Sequence, residues 1–154
     1  MTIATQDMEI TDTQQQPFFK AFNGSFKGVL RWEQLDELWE RVKENDQGWY
    51  IYAVGETPPD TPSSAEKLQV FIPEIDALLH QEHDEDYCGI VYADDHETPS
   101  FIKIFDPNNL GTSCGTSSTP PLPSWILSKI QPIDLPNAFQ QTGSRRRWWQ
   151  KIFS

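Results

Sequence analysis

The chain predicts an α+β fold, an antiparallel sheet of about four to six strands with two amphipathic helices on one face. Three observations predict it. Residues 87–93 and 100–106 are rich in β-branched and aromatic side chains and are separated by the polar stretch Asp94-Asp95-His96-Glu97-Thr98-Pro99, as in a hairpin. Residues 31–44 and 63–79 carry apolar side chains at helical spacing. Aromatic residues make up 12% of the chain, with six tryptophans, so a substantial core can form.

Taken in order, residues 1–16 lack apolar periodicity and read as a disordered leader, without the positive and apolar regions of a secretory signal. A single domain is expected over residues 17–136. Phe18 to Phe22, Asn23-Gly24 and Ser25 to Lys27 suggest a short hairpin with an Asn-Gly turn. In the first helix, Trp32, Leu35, Leu38, Trp39 and Val42 share one face, and Glu37 with Arg41 has the favourable i, i+4 order. Asn45 to Gly48 stops it, and residues 49–54 read as a strand ended by Gly55.

A second helix starts at Ser63 or Ser64, Ser63 and Glu66 having capping-box spacing. Its stripe of Leu68, Phe71, Ile72, Ile75, Leu78 and Leu79 keeps phase across Pro73, which favours one kinked helix over a strand followed by a helix. In the central hairpin, Phe101, Lys103 and Phe105 alternate with Ile102 and Ile104, so both faces are apolar and the strand is an inner one. Residues 111–123 form a loop or flap rich in Gly, Ser, Thr and Pro. Residues 125–130 fit a last strand or a short helix. The expected core includes Trp32, Leu35, Trp39, Ile51, Leu68, Phe71, Ile75, Leu79, Ile90, Tyr92, Ile102 and Ile104.

Charge is divided unevenly. The formal net charge is −11. Arg145, Arg146, Arg147 and Lys151 are four of the twelve cations, and no acid follows Asp134. Residues 1–144 therefore hold eight cations against 23 acids, a formal −15, while the last ten residues carry +4. An acidic body excludes generic nucleic-acid binding, which needs a cationic face. Residues 137–154 read as a linker followed by a basic-aromatic tail. If helical, the tail pairs Trp148 with Ile152 and Trp149 with Phe153 at i, i+4, one turn after the arginines. Three destinations suit it: the chain's own acidic body, an acidic or apolar groove on a larger protein, and weakly an anionic membrane surface. The −15 body opposes the last of these.

Other chemical leads are thinner. His80 and His83 share a helix face and would reach one metal with Asp84, Asp86 or Cys88, but equally suit a solvated helix end. Cys88 lies in an apolar strand and reads as a small core residue. Cys114, in a flexible loop, is the candidate reactive thiol, with His96 the nearest candidate base. The stretch from Gly111 to Ser118 lacks the Gly-Lys-Ser/Thr ending of a phosphate loop, and prolines follow it. Asp94, Asp95 and Glu97 lack calcium-loop spacing. Two cysteines make no disulfide framework, and no apolar run reaches the length of a membrane span. The expectation is a cytoplasmic adaptor or regulatory protein without a cofactor. Its partner-binding residues would be Arg145, Arg146, Arg147, Trp148, Trp149, Lys151, Ile152 and Phe153. The alternative is a metal-binding or thiol-dependent protein using His80 and His83 or Cys114.

Overall fold

The computed structural model describes residues 17–83, 85–107, 122–133, 135 and 143–153, with the backbone alone at 143, 144, 146 and 153. The leader, the Gly/Ser/Thr loop with Cys114, and the linker before the tail lie outside the described residues. In chain order the elements are α1 (residues 17–22), β1 (Lys27–Gly28), α2 (Trp32–Glu44), β2 (Tyr50–Ala53), α3 (Ala65–Glu82), β3 (Val91–Ala93), β4 (Phe101–Ile104), β5 (Trp125–Ser128) and α4 (Gly143–Phe153). Among the described residues, five strands make one fully antiparallel sheet in the order β1-β3-β4-β5-β2. The fold is α+β, as the sequence predicts, and β4 is its middle strand.

Strand alternation sorts the side chains to two faces. Val91, Ile102, Ile104, Trp125, Leu127, Ile51 and Ala53 join the buried stripes of α2 (Leu35, Leu38, Trp39, Val42) and α3 (Leu68, Phe71, Ile72, Ile75, Leu78, Leu79) in the main core. The opposite face carries Tyr52, Phe101 and Ile126, which pack with Phe18 of α1 and with Leu135. The register sets Tyr92 beside Lys103, and Lys103 beside Ile126, on that same second face. Of the expected core residues, Trp32 and Tyr92 are half-buried and the other ten are buried.

Local chemistry explains the element ends. Ser64 caps α3 by accepting from the Lys67 backbone N–H at 3.1 Å, so Ser64 and not Ser63 is the capping residue. The helix runs unbroken through Pro73. At the start of α2, Gln34 reaches back, its Oε1 accepting from the backbone N–H groups of Leu30 and Arg31 at 3.1 and 3.0 Å. Arg41 pairs with Glu44 at 3.7 Å instead of with Glu37.

Two local expectations are corrected and one open alternative is decided. Residues 17–22 are helical instead of the first arm of a hairpin. Phe18 reaches Phe101 and Tyr52 with ring centroids 5.3 and 6.4 Å apart, and a helix lets Phe18 and Phe22 meet at i, i+4. Tertiary packing of a phenylalanine pair thus outweighs the local turn signal. The strand expected over residues 87–93 shortens to β3, because Gly89 has φ +69° and breaks the pleat. Of residues 125–130, which fit a strand or a short helix, Trp125–Ser128 form the strand β5, paired on both sides.

Candidate functional site

The tail is a helix seated on its own body. Within α4, Arg145, Trp148, Trp149 and Ile152 are spaced i, i+3, i+4 and i+7, which places them on one face. That face meets the main core. Trp148 lies 5.4 Å from Trp125 of β5 and 6.5 Å from Phe71 of α3 between ring centroids, and Trp149 lies 6.0 Å from Phe71. Both indoles are half-buried edge-to-face partners.

Arg145 fastens the start of this helix. Its Nη2 donates to Glu82 Oε1 at 2.9 Å, at the end of α3. The same guanidinium donates from two nitrogens to the buried Asp106, just past β4. Arg145 is itself only 9% exposed. The hydrogen bond to Asp106 is the main cause holding its pKa above the ordinary arginine value, burial working against it. The paired residues come from segments 39 and 63 positions apart in sequence, so periodicity carries no sign of them.

The eight expected partner-binding residues therefore divide. Arg145, Trp148, Trp149 and Ile152 face the body. Arg147 and Lys151, four apart, lie on the opposite face with Gln150 and are exposed. Among the described residues neither has an ion-pair partner. The side chains of Arg146 and Phe153 lie outside the described residues.

Both histidines pack on Trp32. His80 stacks on the Trp32 indole with centroids 4.0 Å apart, and His83 meets its edge at 6.2 Å. Trp32 Nε1 donates to the Glu85 carbonyl at 3.0 Å, which fixes the indole beneath both rings. Asp76 accepts from Trp39 Nε1 at 3.0 Å and lies 3.6 Å from His80 Nε2. Asp86 is exposed, and among the described residues no group of three or more His, Cys, Asp or Glu side chains is placed to hold a metal ion. Asp84 lies outside those residues.

The acidic hairpin tip also has a structural task. Asp94 Oδ1 accepts from the backbone N–H groups of Ser100 and Phe101 at 3.0 and 3.1 Å, closing the loop. Asp95 accepts from Glu97 and Thr98 at 2.7 and 3.0 Å, and these backbone bonds lower its pKa. His96 Nε2 lies 3.0 Å from the Lys27 carbonyl. Cys88 is buried, and burial pushes its thiol pKa up.

A second site was not expected from the sequence. A cavity of about 550 Å³ opens on the second sheet face, bounded by Phe22, Phe26, Tyr92, Lys103, Phe105 and Leu122. The Lys103 Nζ lies 4.1 Å from the centroid of Phe22 and 4.1 Å from that of Phe26. Burial pulls the ammonium pKa down to about 8. The signal in the sequence was Lys103 itself, a cation at an inward position of an otherwise apolar strand.

No family model, curated protein or solved structure matches the chain. Among the described residues no helix is long and apolar enough to cross a membrane.

Proposed function

We propose that the protein is a small acidic adaptor or regulatory module of the cytoplasm that binds a protein partner through the outward face of α4. One observation supports this reading above others: on a chain of net charge −11, Arg147 and Lys151 stand exposed one helical turn apart, unpaired among the described residues. The apolar stripe of the helix is occupied by its own body, so the partner reads a rigid, presented cationic face and not a free peptide. Such a face suits an acidic groove, where charge complementarity governs encounter and register. The negative body disfavours anionic lipid as the target.

The test is the full-length Arg147→Glu/Lys151→Glu variant, compared with the natural chain by cross-linking and affinity capture at low and moderate salt. The partner is expected to be held by the natural chain, released as salt rises, and lost in the variant. The melting temperature should not change, because both side chains are exposed. An unchanged set of partners in the variant refutes the reading.

A further inference from the structure

The described residues roof the second sheet face only in part. Phe18 packs on Phe101 and Tyr52, while toward β3 the cover ends at Phe22 and Phe26 and the cavity begins. Its floor is Tyr92 and Lys103, paired across β3 and β4. Tyr92 can lie low because Gly28 of the neighbouring strand has no side chain: a Cβ there would come within 3.1 Å of the tyrosine ring. Phe105 meets the same ring edge-on at 5.7 Å. Among the described lining residues the walls are thus largely aromatic, and Lys103 is the one cation.

That cation has no counter-ion among the described residues. Among the described residues no carboxylate pairs with Lys103, and its surroundings are two aromatic faces. The only other ionisable side chain among the described lining residues is Tyr92. An ammonium removed from water without a carboxylate keeps an unmet electrostatic demand that an anionic ligand would satisfy. The volume falls within the range of about 300–1,000 Å³ common for small-molecule pockets.

We propose that this cavity binds a small organic acid, its carboxylate on the Lys103 ammonium and its apolar or aromatic body against Tyr92, Phe105 and Leu122. Competing chemistries fit less well. Inorganic phosphate is strongly hydrated and would meet one cation in an aromatic box. An apolar neutral molecule leaves the ammonium unpaired, and a cation is repelled. The site lies on the sheet face opposite α3 and is independent of the α4 surface.

Occupancy should follow the charge on Lys103. With its pKa at about 8, the side chain is an ammonium below that pH and loses its proton above it. Affinity for a carboxylate therefore holds below about pH 8 and falls as pH rises through it. Among the described lining residues, Tyr92 is the other ionisable group facing the cavity.

The experiment uses the full chain with phenylacetate and octanoate as probes, against 2-phenylethanol, 1-octanol and inorganic phosphate, followed by calorimetry and amide NMR. The acids should bind about tenfold or more tightly than the matching alcohols, as expected for a charge-assisted contact. Their shift changes should centre on residues 89–92 and 103–105, which locates the site without any substitution. Lys103→Met should abolish the preference for acid over alcohol, and Lys103→Arg should retain it. The proposal is overturned if the acids do not bind, if Lys103→Met binds them as the natural chain does, or if phosphate binds as well as they do.

Discussion

Arg145 and Asp106 form a bidentate pair, with Nε 2.6 Å from Oδ2 and Nη2 3.0 Å from Oδ1, and this pair joins the end of the chain to its middle strand. Both residues are buried, so the pair is shielded from the solvent that weakens surface ion pairs. Arg145→Ala removes the bidentate partner of a buried carboxylate and is expected to cost about 3–5 kcal/mol. Asp106→Asn is expected to cost less, because Glu82 still accepts from the guanidinium. Arg147→Ala, two positions away but exposed, should lie within about 0.5 kcal/mol of the natural chain. Denaturant unfolding of the three variants checks this ordering, and equal effects at 145 and 147 would contradict the clasp.

Removing residues 143–154 should uncover Phe71 and Trp125, the aromatic seats of α4. The shortened chain should melt at a lower temperature and bind a hydrophobic dye that the full chain ignores. In the full chain the emission of Trp148 and Trp149 should be blue-shifted, and Arg145→Ala should move it to the red. Identical melting with and without α4 would show that the helix does not contribute to the fold.

Lys103 gives a stability signature with a fixed sign. Its folded pKa, about 8, lies below the ordinary lysine value, so the unfolded chain holds the proton more tightly. Between about pH 8 and that ordinary value the unfolded state carries more protons, and stability from this group rises with pH. Below about pH 8 its unfavourable contribution is fully present. Unfolding of the natural chain and of Lys103→Met across this window should differ in slope, the variant being flatter. Parallel curves would mean that the ammonium is not desolvated.

Cys88 should be inert in the folded protein. It is buried, and desolvation keeps it a thiol where a thiolate is needed for attack. Measured in a Cys114→Ser background, disulfide-reagent labelling of Cys88 should be slow in buffer and fast in denaturant. Rapid labelling in buffer would place the sulfur at the surface.

The acidic hairpin tip should be sensitive at one position and tolerant at another. Asp94→Ala removes the acceptor of two backbone N–H groups at the start of β4 and should destabilise by about 1–3 kcal/mol. Glu97→Ala, exposed at the tip, should be close to neutral. A calorimetric comparison of the two distinguishes a loop built by Asp94 from a merely solvated acidic cluster.

Elements with strong periodicity were legible in the chain alone. The stripe from Leu68 to Leu79 kept its phase through Pro73, and α3 is one helix because burying that stripe outweighs one missing backbone bond. Apolar residues on both faces of β4 placed it inside the sheet, since only a strand covered on both sides can bury both. Such patterns are local, repeated over several turns or pleats, and so remain readable without the fold.

Single contacts between distant segments became visible only in the folded chain. Nothing near Arg145 reveals that Asp106 and Glu82 await it, and nothing near Lys103 reveals that Phe22 and Phe26 frame it. The Asn23-Gly24 signal pointed to a hairpin, yet Phe18 gained more by packing on Phe101 as part of a helix. The spacing of His80 and His83 does not reveal that both rings pack on Trp32. In each case the deciding energy comes from a partner far along the chain, and pairings at long range leave no period in the sequence.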